Sequence, residues 1–290
     1  MFLVTGATGN VGSQVVRDLC EQGVAVRAFV RDAEKARRML GGDPEIAQGD
    51  FGDATSLREA VRGVERIFLA SADGPEKVVY ETAAIDAAAE AHVELIVTCS
   101  TLLAQVGSPL PPFDWHGRIE EHLRRSRVPN VVLRSCFYMT NLLASAEQVR
   151  STGRLFAPAG EGRIAMIDPR DTAAVAARVL VEDGHAGMTY ELTGPEAITF
   201  AQVAEALATA TGSTVEYVDV PDEAAHAGLV SARMPDWLVE HLGALFPLIR
   251  EDALAGVTGT VRELTGRTPR SFAEFAQHHA DAFGPALVPG

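Results

Sequence analysis

The chain has 290 residues, room for one large domain or two small ones, and its hydrophobic content of 47% lets it bury a sizeable core. A formal net charge of -14 and a pI near 5.0 argue against non-specific nucleic-acid binding and against docking on an anionic membrane. Cys20, Cys99 and Cys136 are far apart and form no CxxC pair, which speaks against a disulfide framework or a zinc site, and no other metal site is expected. No run of about 18 uncharged apolar residues occurs, so no membrane span is expected. Met1 leads straight into an apolar run with no signal peptide, and a cytoplasmic protein is expected. There is no internal repeat and no low-complexity segment.

Residues 2–4 read as a buried strand. Gly6, Gly9 and Gly12 follow, and then a helix with Val11, Val15, Val16 and Leu19 on one face, stopped at Gly23. Strand, glycine turn and helix in that order make a phosphate cradle. Missing side chains let a pyrophosphate reach the backbone, and the helix N-terminus meets it with free N–H groups and partial positive charge. Residues 24–30 are the second strand and residues 33–40 a helix. Residues 46–49 are the third strand, and residues 55–62 a helix capped by Asp53 or Thr55. Residues 66–70 form the fourth strand, residues 76–91 a long alanine-rich helix, and residues 94–99 the fifth strand, ending at Ser100 and Thr101. A proline-rich loop leads to a helix over 115–126 and a sixth strand over 130–134. Strands alternating with helices predict a doubly wound, mostly parallel α/β sheet.

The pattern loosens after residue 140. Residues 141–151 read as helix, and 153–158 and 163–167 as short segments, candidate strands. Asp168 and Asp171 read as turn and capping residues of a helix over 171–181, not as a catalytic carboxylate pair. Residues 187–192 and 214–220 read as strands. Residues 199–211 read as a helix whose Thr199 and Gln202 resemble a capping box. From residue 222 the chain reads mostly as helix, ending near Phe283. The expected division is a dinucleotide-binding core over 1–140 and a smaller lobe over 141–290, partly interleaved with it, with a cleft between them.

Several positions carry candidate chemistry. Gly6, Thr8, Gly9, Asn10, Val11 and Gly12 form the turn and helix start. Arg31 directly follows the second strand, where the adenine ribose lies in such a fold. A guanidinium there suits a 2′-phosphate, with Lys35 as a second charge one helical turn on. Asp32 either partly neutralises that charge or binds the ribose itself. Asp50 and Phe51 follow the third strand, placed either for the adenine or as a plain turn. Ala70 and Ser71 end the fourth strand, small enough for a close cofactor. Cys99 and Ser100 end the fifth. NADPH is therefore expected in preference to NADH. His278 and His279 read as surface residues.

VTGATGNVG at 4–12, VRAFVRD at 26–32, QGDFGD at 48–53, HGRIEEHLRRS at 116–126 and VVLRSCFYMTN at 131–141 resemble the NmrA-like group of atypical short-chain dehydrogenase/reductases. GRIAMIDPRDTAAVAARVL at 162–180, YELTGPEAITFAQVAEALATATG at 190–212 and TGRTPRSFAEF at 265–275 extend the resemblance over nearly the whole chain. It implies an NADP-preferring Rossmann domain with a small C-terminal substrate lobe. Members similar to this chain include type-2 NAD(P)H:quinone oxidoreductases and redox-sensing regulators that bind the dinucleotide without turnover. The GxxGxxG spacing suits the short-chain dehydrogenase turn.

The chain departs from that wider group in one respect. Four residues after Tyr80, Tyr138, Tyr190 and Tyr217 stand Ala84, Leu142, Gly194 and Pro221, so no Tyr-x-x-x-Lys pair exists. His116 and Glu120 fall on one helical face. They read either as a proton-transferring histidine oriented by a carboxylate, or as a structural ion pair or cap holding the proline-rich loop. Ser100 and Thr101 sit where the group's catalytic hydroxyl would be, or else bond the nicotinamide ribose. The resemblance places Phe137 and Tyr138 near the nicotinamide, as walls for a flat substrate or as core. Residues 102–115 read as a candidate lid. Three functions are open: an NADPH-dependent reductase of a conjugated carbonyl such as a quinone, a non-catalytic NADP-binding sensor acting through a protein partner, and an extended-type epimerase, which lacks its tyrosine. A monomer or homodimer acting on a small molecule is expected.

Overall fold

The computed structural model describes residues 1–284. The elements in chain order are β1 (Phe2–Val4), α1 (Gly12–Glu21), β2 (Val26–Val30), α2 (Ala33–Met39), β3 (Glu45–Gln48), α3 (Ala54–Ala60), β4 (Arg66–Leu69), α4 (Lys77–Glu90), β5 (Leu95–Thr101), α5 (Pro111–Ser126) and β6 (Asn130–Ser135). A 3-10 helix, Met139–Ser145, comes next, then α6 (Ala146–Thr152), β7 (Arg154–Ala157), β8 (Arg163–Ile164), α7 (Pro169–Val181), β9 (Thr189–Leu192), β10 (Ile198–Thr199), α8 (Phe200–Thr211) and β11 (Glu216–Asp219). The chain closes with α9 (Asp222–Ser231), α10 (Asp236–Arg250), α11 (Thr260–Thr265), α12 (Phe272–His278) and α13 (Ala280–Phe283). No helix among the described residues is long and apolar enough to cross a membrane.

The chain divides into two compact units. One holds Met1–Ser135, Pro169–Leu192 and Thr260–Gly266; the other holds Cys136–Asp168, Thr193–Gly259 and the chain from Arg267 onward. The first unit is a Rossmann-type sheet of seven parallel strands in the order β3-β2-β1-β4-β5-β6-β9. Side chains alternate across it, because successive residues of a strand point to opposite faces. Leu3, Phe29, Ile67, Leu69 and Ile96 join Leu57 of α3, Ile85 of α4 and Ile119 and Leu123 of α5 in one core layer. On the opposite layer α7 packs on α1 and reaches β4, β5 and β6. Chain order reverses between β1 and β4, and such a switch point is where an open parallel sheet takes a ligand at its carboxyl edge. The second unit pairs β7 with β11 in parallel and β8 with β10 antiparallel, and covers them with helices.

Several boundaries differ from expectation for identifiable reasons. β2 starts at Val26, not residue 24, because the Val24 N–H closes α1 onto the Leu19 carbonyl at 3.0 Å and Gly23 donates to Cys20 at 2.9 Å. That is a Schellman closure, with Gly23 at φ +76°. α5 starts at Pro111, four residues early, because prolines in a first helical turn lack only N–H groups that would go unpaired anyway. α7 likewise opens on Pro169, so Asp171 lies inside its first turn instead of capping it. The helix expected over 141–151 is split into the 3-10 turn and α6. Of the strand expected over 163–167 only Arg163–Ile164 pairs regularly; Ile167 makes a single bridge to Tyr138. The Thr199–Gln202 capping box forms as read.

Ile85 is fully buried in the α3–α4–α5 layer. Ile85→Ala should cost about 2–5 kcal/mol in urea unfolding, the usual range for an apolar truncation that leaves a cavity.

Candidate functional site

At the switch point β1 and β4 run out side by side. The Thr5 N–H donates to the Phe68 carbonyl at 3.0 Å. The Thr5 hydroxyl then accepts the Ala70 N–H at 2.9 Å and donates to the Ala70 carbonyl at 2.9 Å. Gly6 turns the chain in the left-handed region, φ +57°, where a Cβ would stand 2.8 Å from the Ala70 oxygen. A Cβ on Gly12 would stand 2.3 Å from the Gly6 oxygen. The glycines therefore let backbone lie on backbone. Gly9 donates to Gly6 at 2.8 Å and tightens the turn. Gly9 and Asn10 are exposed, Thr8 is half-buried, and Val11 is buried beneath them. α1 begins here with no side-chain cap and no acid in its first turn. Nothing in that turn competes with an anion for the helix N-terminus.

Arg31 is exposed immediately beyond β2, and Lys35 is exposed one turn into α2. Asp32 lies between them in sequence and has a local role. Its carboxylate caps α2, accepting the Lys35 N–H at 2.9 Å. Asp50 is bound up locally, taking the Gly52 N–H at 2.8 Å in a tight turn, while Asp53 caps α3. Phe51 is half-buried, edge-on to Phe29 at 5.5 Å and stacked on Tyr80 at 6.0 Å. An uncapped helix start, a glycine turn and two exposed cations beside it fit a phosphorylated dinucleotide.

Two buried polar networks lie at the neighbouring strand ends. Ser100, inside β5, donates its hydroxyl to Glu120 Oε1 at 2.5 Å. Arg134 of β6 grips the same carboxylate with two bonds, 3.0 and 2.6 Å. Glu120 is 6% exposed, and its hydrogen bonds raise the Arg134 pKa. The second network was not read from the sequence. Lys77 and Glu81 of α4, 3% and 0% exposed, pair at 2.9 Å. Glu81 also takes the Ser71 N–H at 3.0 Å and its hydroxyl at 2.8 Å.

The pair expected between His116 and Glu120 does not form. Glu120 is engaged by Ser100 and Arg134, whereas His116 faces Asp73, with Nε2 3.8 Å from Oδ1. His116 is 8% exposed, and its Nδ1 is buried without a hydrogen-bond partner. Burial first, and then the Lys77 charge, push its pKa down to about 3 against the pull of Asp73. The ring is therefore neutral at pH 7 and holds no dissociable imidazolium proton there. The proline-rich loop is held by another residue: Asp114 takes the Gly107 N–H at 2.8 Å, and Gln105 donates to the Phe113 carbonyl at 3.0 Å.

Ala70, Ser71, Cys99 and Thr101 are half-buried at the carboxyl ends of β4 and β5, as the sequence places them. Phe137 and Tyr138 belong to the second unit and are both half-buried. There Ile167 donates to the Phe137 carbonyl at 3.0 Å, and Tyr138 precedes the 3-10 helix. Thr5, Asp73, Lys77 and Glu81 were missed. The only trace of the last two is a Lys-x-x-x-Glu spacing inside an alanine-rich helix, which ordinarily marks a solvated face.

The fold and this edge define a dinucleotide-binding α/β protein. The chain matches the NmrA-like family over residues 1–276 and belongs to it. It is 39% identical to an NAD(P)H azoreductase of Xenophilus azovorans, over 99% of this chain and all of that one. It superposes on the crystal structure of an NADPH-dependent quinone oxidoreductase of Escherichia coli complexed with NADPH, with TM-score 0.87, 33% identity, and coverage of 96% of this chain and 99% of that one. The triphenylmethane reductase of Citrobacter complexed with NADP(H) gives TM-score 0.83 at 27% identity, covering 97% of this chain and all of that one.

The His116 environment has a consequence for stability. Unfolding returns its pKa from about 3 to about 6.5, so between those values the unfolded chain binds the extra proton and stability falls as pH falls. Wild type should lose about 2 kcal/mol more than His116→Asn between pH 7.5 and pH 5.0 in urea unfolding. Equal losses would mean that the ring is not held neutral.

Proposed function

We propose that the protein is an NADPH-dependent reductase that passes hydride to a small conjugated acceptor, most simply a quinone. The observation that carries the cofactor half is the glycine turn clamped on Ala70, with Arg31 and Lys35 exposed at the adjacent strand end and Asp32 engaged as a cap. In this reading Gly6, Thr8, Gly9, Asn10, Val11 and Gly12 receive the pyrophosphate, and Arg31 with Lys35 receives the 2′-phosphate. Asp50 and Phe51 lie toward the adenine. Ala70, Ser71, Cys99 and Ser100 line the strand ends beneath the nicotinamide half. The relatives' names support the reductase reading: they are reductases of azo compounds, quinones and triphenylmethane dyes, all conjugated systems.

NADPH, when bound, supplies the hydride. The chain's own residues bind and orient. Reduction of an isolated ketone builds charge on one alkoxide oxygen and needs a strong proton donor beside it. This chain has no Tyr-x-x-x-Lys pair, and its buried histidine is neutral. A quinone spreads the arriving charge over its conjugated system, so solvent or a neutral N–H suffices. His116, with Thr101, serves in this reading as an uncharged hydrogen-bonding group toward the acceptor. Orientation over the nicotinamide supplies most of the rate.

Two measurements test this. Calorimetric titration should show NADPH binding tighter than NADH, and Arg31→Ala should weaken NADPH about tenfold while leaving NADH unchanged. Equal wild-type affinities would remove the 2′-phosphate role. Stopped-flow mixing of flavin-free protein with NADPH deuterated on its transferable hydrogen should give a primary isotope effect with a quinone, and kcat should show no limb near pH 6–7. If no quinone, enone, imine or azo dye oxidises the bound cofactor, a sensor that acts through a protein partner replaces the reductase.

A further inference from the structure

The Lys77–Glu81 pair needs an explanation that helix stability does not give. A Lys–Glu pair four residues apart on an exposed face stabilises a helix slightly. This one is buried, and burying two charges costs so much desolvation that an apolar pair of similar volume is often as stable. Its hydrogen bonds show where it acts. Glu81 Oε1 receives the Ser71 N–H, the Ser71 hydroxyl and the Lys77 ammonium at 3.0, 2.8 and 2.9 Å. The ammonium reaches the Ser71 carbonyl at 3.2 Å and Asp73 Oδ1 at 3.3 Å. Its three protons thus meet three acceptors. Burial opposes the Lys77 charge, but Glu81 and Asp73 outweigh it and raise the pKa. Lys77 is therefore neither a nucleophile nor a proton donor at neutral pH.

Both ends of the Ser71 residue are held: N–H and hydroxyl by Glu81, carbonyl by Lys77. Ser71 follows Ala70 directly. The Ala70 peptide is bonded on both sides to the Thr5 hydroxyl, and its oxygen lies against Gly6. A displacement of Ser71 therefore reaches the glycine turn through two residues.

We propose that Glu81 is a positioning residue of the cofactor site, a buried clamp on Ser71 whose charge Lys77 balances, and that it sets, through Ala70 and Thr5, the shape of the glycine turn. The inference rests on the dinucleotide reading above. It names no contact between either residue and the cofactor. The decisive element is the carbonyl-type acceptor of residue 81, since it alone holds the Ser71 N–H.

Two double variants isolate that acceptor. Both discharge the pair; Lys77→Met with Glu81→Gln keeps an amide oxygen for Ser71, and Lys77→Met with Glu81→Met removes it. Hydrogen exchange in ligand-free protein reads the clamp directly at residues 5–12 and 70–72. NADPH titration by fluorescence reads its consequence. The Gln-containing variant should match wild type within about twofold in both. The Met-containing variant should exchange about tenfold faster in those two segments only and bind NADPH about tenfold more weakly, with a melting temperature at or above wild type. If the two variants exchange and bind alike, the clamp has no positioning role and the inference is overturned. Should the apolar pair fail to fold, Ser71→Ala removes one donor without touching the core. It should speed exchange at residues 5–12 about threefold, and an unchanged rate overturns the inference. Wild type that fails to bind NADPH would overturn the cofactor reading instead, and the ligand-free exchange arm would still judge the clamp.

Discussion

One hydroxyl ties the carboxyl ends of β1 and β4 together. Thr5 both donates to and accepts from the Ala70 peptide, one residue past the regular ladder. Parallel strands at a switch point lose their covering connections, since the chain leaves each strand toward opposite faces of the sheet. The hydroxyl extends the pairing past the Thr5 N–H bond to the Phe68 carbonyl. With it, the Ala70 oxygen is brought so close that only a residue without Cβ can follow Thr5, and Gly6 supplies the left-handed turn as well. Gly12 must then clear the Gly6 oxygen, which fixes where α1 starts. The uncapped helix start is thus a result of how the two strands are held.

The same edge is fastened again from the helix side, twice and by one device. On α4 and α5, which pack together, a buried glutamate takes the hydroxyl of a strand-end serine and the charge of one cation. Glu81 holds Ser71 and Lys77; Glu120 holds Ser100 and Arg134. The two serines stand at the ends of adjacent strands. Ion pairs at such depth contribute little net stability, because desolvation offsets their attraction. What they confer is geometry. A carboxylate with three donors has few orientations in which all three are met; on Glu81 all three converge on Oε1, and Oε2 is buried without a hydrogen-bond partner. The α3–α4–α5 apolar layer supplies the stability that these networks do not.

The sequence was readable wherever local chemistry decided the outcome. The glycine turn, the Thr199–Gln202 capping box and the alternation of strands with helices that implies a parallel sheet are all local signals, and each appears in the structure. Boundaries moved where a backbone group was used by a neighbour: the Val24 N–H belongs to the end of α1, and Pro111 can open a helix that otherwise looks proline-broken. Polar pairings were the least legible. His116 and Glu120 share a helical face in sequence, yet each finds its partners on other segments, at Asp73 and at Ser100 with Arg134. A helical period tells which residues point the same way, not how deep the face lies or which strand end it meets. Lys77 and Glu81 were invisible for the same reason, since a spacing that normally marks solvent is here fully buried.

That burial also bears on the chemistry. A neutral, desolvated His116 beside Lys77, whose pKa is raised by Glu81 and Asp73 against its burial, is the opposite of the arrangement that makes a histidine an acid at pH 7, where a neighbouring carboxylate must dominate. Asp73 is the carboxylate within reach, but it is half exposed and also paired with Lys77. In the proposed reading, such an edge binds and orients the reactants and offers an uncharged N–H, and His116 does not serve as an imidazolium acid. Under the proposed function, the acceptor would carry the new charge itself until solvent or a neutral N–H protonates it. Quinones meet that condition because the reduced oxygen is conjugated through the ring to the second carbonyl, whereas an isolated ketone leaves the charge on one oxygen. In the proposed reductase reading, the missing tyrosine–lysine pair and the neutral histidine are one constraint seen twice, and both favour an acceptor that can hold the new charge itself.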